Sequence, residues 1–156
     1  MNIYGYCRIS TAKQSIDRQI RNIKAEYSTV HIVQEAYTGT SIFRPEWLKL
    51  YRILKSGDMV VFDSVSRMSR NAEEGFALYE DLYHKGIRLV FLKEHHIDTE
   101  TYKKALSGSI AMTGTNVDFI LKGINEYLMA LAKEQIKLAF EQSEKEVADL
   151  HQRTRE

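Results

Sequence analysis

Seven polar residues of this chain are of types that bind phosphate or take part in its transfer, and they fall in three segments that each follow a predicted β-strand. These residues are Arg8, Ser10, Gln14, Gln19, Arg44, Arg67 and Arg70. In an open α/β sheet the carboxyl ends of the strands lie at one edge, so the three segments could converge there. A serine hydroxyl among guanidinium groups suits phosphoryl transfer, because each arginine offers a planar, permanently charged pair of donors to phosphate oxygens.

The spacing of these residues fits one shared site. Arg8 and Ser10 would share a face of an extended strand, about 6.5–7 Å apart, and Arg67 and Arg70 would share a face if their segment is helical. A phosphoserine formed at Ser10 would conserve the energy of a phosphodiester bond. The sequence has neither a Walker phosphate loop nor a carboxylate cluster for a metal, so we expect no nucleotide, metal or other cofactor. Taken alone, a serine such as Ser10 more often caps a turn or a helix, and arginines such as Arg67 and Arg70 more often form a solvated face.

Segments typical of strands and of helices alternate along the first part of the chain. Runs rich in β-forming residues predict four strands, over residues 3–9, 31–37, 59–62 and 87–92. Apolar residues at helical spacing predict helices over 15–27, from Pro45 onwards and over 72–85, with a further short helix near 101–106. This alternation predicts an α/β domain with helices layered on a mostly parallel central sheet.

The segment after residue 116 predicts one long helix. Residues 117–156 contain no proline, and their only glycine is Gly123. An apolar stripe runs along this segment and consists of Leu121, Ile124, Leu128 and Leu131. At about 1.5 Å per residue, the helix would extend beyond a small domain. We therefore expect residues 1–116 to form the α/β core and residues 117–156 to contact a partner chain.

Composition excludes several classes of protein. The chain has 156 residues and a formal net charge of +1. No apolar run approaches the roughly 18 residues of a membrane helix, and the first residues lack the basic start of a signal peptide, so we expect a cytoplasmic protein. Cys7 is the only cysteine; it excludes an intrachain disulfide and is predicted to be a buried, unreactive thiol. A domain that grips DNA alone would be more basic, so DNA binding would need affinity supplied from elsewhere.

Two sequence blocks match a known family pattern. The run Tyr6–Gln19 resembles the signature of the resolvase/invertase serine recombinases, which is Tyr-x-Arg-Val/Ile-Ser-Thr, then Gln-Ser and a further Gln. The block Ser66–Arg70 resembles the Asp-Arg-x-x-Arg loop of the same family, and residues 146–156 resemble part of its long interfacial helix. The resemblance covers nearly the whole chain and implies the three-layer α/β/α catalytic fold with a long C-terminal interface helix.

The resemblance also implies a role for each candidate residue. Those roles are Ser10 as nucleophile, Arg8, Arg67 and Arg70 as the groups that bind and polarise the scissile phosphate, and Gln14, Gln19 and Arg44 as supporting residues. The implied activity is site-specific DNA recombination. In it a homodimer assembles to a tetramer on DNA, cleaves the strands through a 5′-phosphoserine intermediate, exchanges subunits and rejoins the strands, without metal or nucleotide.

Two departures from the family pattern limit the transfer of roles. Ser66 stands where many members have Asp, so no acid–base role is assigned to that position, and Asp63 is the carboxylate nearby. Val147 follows Glu146 where many members pair Glu with Arg, so no arginine of the last helix is assigned. We expect a DNA-binding region to follow in a longer protein of the large phage-integrase or transposon type. The alternatives are a non-catalytic regulatory α/β domain that dimerises through its last helix, and a phosphatase-like enzyme, for which no base or metal is evident.

Overall fold

Strands and helices alternate along the chain, as the computed structural model shows for the backbone of residues 1–9, 13–36, 44–69, 71–107 and 111–155. Side chains are described over the same ranges except at residues 9, 13–15, 36 and 143–155. The elements in chain order are β1 Ile3–Ile9, α1 Lys13–Glu26, β2 His31–Ala36, α2 Pro45–Ile53, β3 Met59–Phe62, α3 Ala72–His84, β4 Arg88–Phe91, α4 Thr99–Ser107 and α5 Asp118–Arg155. Two short 3₁₀ turns, Val65–Arg67 and His95–Ile97, follow β3 and β4.

The strands form one sheet in the order β2-β1-β3-β4, and every pairing among the described strands is parallel. β1 pairs with β2 from Tyr4 to Ile9, but it pairs with β3 only from Ile3 to Gly5. All four residues of β3 are buried, which explains its consecutive apolar residues, because a strand covered on both faces has no solvent side. The predicted α/β class with a parallel sheet is confirmed.

Helices cover both faces of this sheet. On one face, Ile16 and Ile23 of α1 cluster with Cys7, Met59 and Val61. On the other face, α2, α3 and α5 contribute to a larger core. Aromatic rings run through that core with centroids 5.1–6.2 Å apart, within the range that aromatic pairs prefer, and the series consists of Trp47, Tyr6, Phe62, Phe91 and Tyr79.

The long helix α5 is anchored to the domain near its middle. It has 38 residues and is therefore roughly 57 Å long at about 1.5 Å per residue. Ile136, Ala139 and Phe140 are buried. A Cβ atom built on Gly75 of α3 would lie 2.5 Å from the Phe140 ring, so the absence of a side chain at Gly75 lets the two helices approach.

The residues that anchor α5 lie outside the stripe that the sequence predicts. Within that stripe, Ile124 and Leu131 are 38% and 43% exposed, whereas Leu121 and Leu128 are half-buried. Part of the predicted stripe is thus left uncovered by the domain, as expected. Among the described helices, α5 included, none combines the length and the apolar character that a membrane crossing requires.

Candidate active site

The carboxyl end of β1 holds two arginines next to each other and next to the loop that follows β3. Arg8 is buried, and its Nη2 donates a hydrogen bond to the carbonyl oxygen of Ser66 at 2.8 Å. Nη1 of Arg67 donates to the carbonyl oxygen of Arg8 at 3.3 Å. β1 ends at Ile9, so Ser10 is the next residue along the chain. The structure thus brings the first and third predicted segments together at this edge of the sheet.

Arg44 connects the second segment to the same loop. Its guanidinium group donates three hydrogen bonds: from Nε to the Tyr6 hydroxyl at 3.1 Å, from Nη1 to the Met68 carbonyl at 2.5 Å, and from Nη2 to the Arg67 carbonyl at 3.3 Å. The guanidinium carbon also lies 5.0 Å from the ring centroid of Tyr6 and 5.3 Å from that of Trp47, within cation–π range. Arg44 therefore fixes the backbone of the loop from the start of α2.

Gln19 binds the backbone of Arg8 with both ends of its amide. Oε1 accepts a hydrogen bond from the Arg8 amide nitrogen at 3.1 Å, and Nε2 donates to the Arg8 carbonyl oxygen at 3.0 Å. Because β3 stops pairing with β1 after Gly5, the Gln19 side chain takes the place of a neighbouring strand at this point. The resemblance implies a supporting residue at the phosphate, and the structure places Gln19 as a buried partner of the Arg8 backbone.

The loop between β3 and α3 is also held from the side of β4. Oε2 of Glu94 accepts a hydrogen bond from the Val65 amide nitrogen at 3.1 Å, where the first 3₁₀ turn begins. At the other end of the loop, the Asn71 side chain accepts from the Glu74 amide nitrogen and caps α3. Side chains from β1, α2 and the β4 end thus all bind the backbone of this loop. Sequence reasoning missed Glu94, because 29 positions separate it from Val65 and no local pattern links the two.

A buried carboxylate that sequence reasoning also missed, Glu35, lies beside the arginines. It stands opposite Arg8 in the β1–β2 register and is 1% exposed. Oε2 accepts a hydrogen bond from the Glu46 amide nitrogen at 2.9 Å, in the first turn of α2, and Oε1 has no hydrogen-bond partner among the described residues. Burial raises the pKa of Glu35, against the hydrogen bond from Glu46 and the charge of Arg44. The available signal was an acidic residue at the end of a predicted strand.

Asp63, the carboxylate close to Ser66 in sequence, is bound on both of its oxygens. Oδ1 accepts a hydrogen bond from Asn22 at 2.9 Å, and Oδ2 lies 3.4 Å from Nζ of Lys93. Asp63 is 2% exposed, and these contacts give it a structural part between α1 and the end of β4.

The prediction that Cys7 is buried is confirmed. Burial, together with the negative charge of Asp63, raises the pKa of the Cys7 thiol to about 12.

The remaining candidate residues lie outside the described part of the chain. Ser10 and Arg70 are not described, and of Gln14 only the backbone is, in α1. Within the described residues, no group of three or more His, Cys, Asp or Glu side chains is arranged to hold a metal ion. The described part of this edge holds the guanidinium groups of Arg8, Arg44 and Arg67 on a backbone fixed by hydrogen bonds. Guanidinium groups bind oxyanions through paired N–H donors.

The parallel sheet is covered by helices on both faces, so the domain has three layers and belongs to the α/β class. Arginines lie at the carboxyl edge of the sheet, and the last described element is a long helix. A family model described as "Resolvase, N terminal domain" matches residues 3–146. The chain belongs to this family of resolvase N-terminal domains, and the predicted resemblance to the resolvase/invertase family is confirmed. The large phage-integrase or transposon type remains a prediction.

Individual curated proteins and a solved structure are also similar to this chain. The transposon Tn21 resolvase of Escherichia coli is 30% identical over 91 residues, which cover 58% of this chain and 47% of the relative. The Tn1721 resolvase of Escherichia coli is 27% identical over 134 residues, which cover 84% of this chain and 70% of the relative. A crystal structure of a resolvase family site-specific recombinase from Streptococcus pneumoniae is 20% identical, with a TM-score of 0.49, over 100% of this chain and 99% of that one. The chain spans about half the length of several curated relatives that it matches.

Proposed function

We propose that this domain cleaves and rejoins DNA strands in site-specific recombination. In the cleavage step, the hydroxyl oxygen of Ser10 attacks the phosphorus of a DNA phosphodiester. The bond between that oxygen and phosphorus forms, the bond from phosphorus to the 3′ oxygen breaks, Ser10 loses its proton, and the departing 3′ oxygen takes up a proton. Rejoining reverses the step with the 3′ hydroxyl of an exchanged strand, so no nucleotide is consumed.

The observation that carries this proposal is the arrangement of Arg8 and Arg67 at the end of β1. The Arg8 backbone is held by Gln19, its guanidinium group is bonded to the loop after β3, and Arg67 is bonded to its carbonyl oxygen. These contacts are made two positions before Ser10. Permanently charged donors on a fixed backbone can stabilise the charge that develops on phosphate oxygens without further rearrangement.

The other candidate residues take supporting roles in this proposal. Arg70 joins Arg8 and Arg67 in binding and polarising the phosphate, while Gln14 and Arg44 support the site.

DNA is the substrate and the partner in this proposal. Because the net charge is only +1, we propose that a DNA-binding region beyond residues 117–156 supplies most of the affinity, and we expect the protein to act in the cytoplasm.

The test of the proposal is a covalent protein–DNA adduct. The full-length protein is incubated with a nicked suicide site and analysed by denaturing electrophoresis. Wild type and Ser107→Ala, a control at an exposed hydroxyl on α4, should form the adduct. Ser10→Ala should form none while keeping its fold and its DNA binding. Residual adduct above a few per cent of wild type would contradict the assignment of Ser10, and no adduct from wild type would favour the regulatory domain.

The arginines are tested by lysine substitution, which keeps the charge but removes the paired donors. Arg67→Lys and Arg70→Lys should slow cleavage strongly and change DNA affinity little, because the main DNA contacts are proposed to lie elsewhere. Arg52→Lys, on the exposed side of α2, is the control. Near-normal cleavage rates in both active-site variants would show that these arginines form a solvated face.

The partner of the long helix is, in this proposal, a second copy of the chain, and two such dimers form a tetramer on DNA. Exposed apolar residues of α5 recur at intervals of four, three and four, a spacing typical of helix–helix contacts, at positions Ile120, Ile124, Tyr127 and Leu131. The domain leaves these four residues uncovered, and two of them, Ile124 and Leu131, also belong to the stripe predicted from the sequence. A row of exposed apolar residues of this kind marks an interaction surface. A twofold dimer would cover it with the same patch of the other copy.

The dimer is tested with two leucines that are equally exposed. Leu131 on α5 and Leu48 on α2 are each 43% exposed, so replacement by glutamate adds the same charge at the same accessibility. Leu131→Glu should shift sedimentation towards the monomer and reduce cleavage, and Leu48→Glu should do neither. If wild type and Leu131→Glu sediment alike and cleave alike, the stripe is not the dimer contact.

A further inference from the structure

Two serine hydroxyls in the loop after β3 form a pair that the proposed cleavage step does not use. The Oγ atoms of Ser64 and Ser66 lie 2.6 Å apart, so one donates a hydrogen bond to the other. Ser64 is buried, whereas Ser66 is half-buried. The pair therefore has one end inside the domain and one end that reaches the surface.

The surroundings of the pair decide which hydroxyl is the donor. Each serine hydroxyl has one proton to donate. Among the described residues, Ser66 Oγ is the hydrogen-bond partner of the buried Ser64 Oγ, and a buried donor without an acceptor is costly. This cost favours Ser64 as the donor and Ser66 as the acceptor. The proton of Ser66 then remains available for an acceptor outside the pair.

Ser66 is held directly beside the arginines of the candidate active site. Its carbonyl oxygen accepts the 2.8 Å hydrogen bond from Arg8 Nη2. Arg67 is the next residue, and its guanidinium group is bonded to the Arg8 carbonyl. Ser66 thus carries its hydroxyl on the residue that Arg8 binds and next to Arg67 in the chain. A hydroxyl that already accepts a hydrogen bond is a stronger donor to an anion, because hydrogen bonds in series strengthen one another.

We propose that the Ser66 hydroxyl donates a hydrogen bond to a non-bridging oxygen of the DNA phosphate at this site, and that Ser64 is a positioning residue that orients it. This inference rests on the proposed recombinase function and deepens it. The hydroxyl adds a neutral donor to the charged donors of the arginines and brings no negative charge next to the phosphate.

The test compares Ser66→Ala, Ser66→Thr and Ser64→Ala with wild type and with Ser107→Ala as the exposed control. In the full-length protein, the measured quantities are the single-turnover cleavage rate on saturating suicide-site DNA, the DNA affinity and the thermal unfolding midpoint. Ser66→Ala should cleave roughly tenfold to a hundredfold more slowly, the effect of losing a hydrogen bond to a charged group. Ser64→Ala should be slowed less, and Ser66→Thr should stay near wild type because it keeps the hydroxyl. DNA affinity should stay close to wild type in all of them. The unfolding midpoint should stay close to wild type in Ser66→Thr and Ser107→Ala, whereas Ser66→Ala should lower it, because the buried Ser64 hydroxyl loses its acceptor. All cleavage rates are therefore measured well below the midpoints.

The outcomes separate this inference from the proposed function. If wild type forms the adduct and Ser66→Ala cleaves at the wild-type rate, the inference fails and the function stands. If Ser66→Thr is as slow as Ser66→Ala, or if the rate falls only in step with stability, the loss does not follow the hydroxyl and the inference also fails. If neither wild type nor Ser107→Ala forms an adduct, the proposed function fails and the inference with it.

Discussion

Replacement of Gln19 by leucine removes two buried hydrogen bonds while keeping the volume of the side chain. The Arg8 amide nitrogen loses its 3.1 Å bond to Oε1, and the Arg8 carbonyl loses its 3.0 Å bond from Nε2 but keeps the 3.3 Å bond from Arg67. We assign about 1–3 kcal/mol to the amide and about 0.5–1.5 kcal/mol to the carbonyl. Because leucine leaves little cavity, no large packing cost is added. The expected loss of stability is about 1.5–4.5 kcal/mol.

Denaturant unfolding of Gln19→Leu measures this loss, with Gln142→Leu on the exposed side of α5 as the control. For a domain of this size, each kcal/mol lowers the thermal midpoint by about 2–4 °C, so a fall of roughly 3–18 °C is expected. Cleavage should also slow, because the strand that presents Arg8 loses its lateral support. A change in the free energy of unfolding within about 0.5 kcal/mol, typical of neutral surface substitutions, would refute the structural role given to Gln19.

Three further predictions concern packing, thiol reactivity and pH. Gly75→Ala should destabilise the domain by about 1–3 kcal/mol, because a Cβ 2.5 Å from the Phe140 ring overpacks the helix contact. Gly123→Ala, with open space at that position, should stabilise the domain by roughly 1 kcal/mol. Unfolding experiments measure both changes, and equal effects would contradict the close contact. Cys7 should react with a thiol reagent at mildly alkaline pH only after unfolding, since its pKa is raised to about 12, and labelling of the folded protein would count against this. The raised pKa of Glu35 means that the folded chain binds more protons than the unfolded chain, so stability falls as the pH rises above its ordinary 4.5. The stability of Glu35→Gln relative to wild type should then increase with pH, and a difference that is constant with pH would contradict the shift.

The sheet and the meeting of two arginine segments could be predicted because both follow from local patterns and one topological rule. The consecutive apolar residues of β3 indicated a strand buried on both faces, which it is. A parallel sheet then places the residues after β1 and β3 at one edge, and the hydrogen bonds that link Arg8 and Arg67 to the same backbone show that these residues meet there.

The contacts that shape the site could not be predicted, because most of them join a side chain to a distant backbone atom. Arg44 binds the carbonyl oxygens of Arg67 and Met68, and Glu94 binds the amide of Val65. A backbone acceptor is the same whatever the residue type, so the sequence carries no sign of which one is used. The buried face of α5 was missed for a related reason, since apolar residues occur on more than one face of that helix and periodicity does not say which face is covered.

The outside contacts of the loop after β3 also bear on how freely its side chains can be exchanged. Backbone atoms of residues 65–68 form hydrogen bonds with Arg8, Arg44 and Glu94. A substitution in this loop leaves those backbone atoms unchanged unless the new residue is proline. The course of the loop is therefore set from outside, and the residue at position 66 can change without disturbing it. Serine, aspartate or asparagine at position 66 would therefore place a hydroxyl, a carboxylate or an amide beside the arginines while the loop backbone keeps its contacts. Ser66, at the position where the family pattern that this chain resembles has an aspartate, then supplies a hydroxyl in place of a carboxylate without a change in the loop backbone.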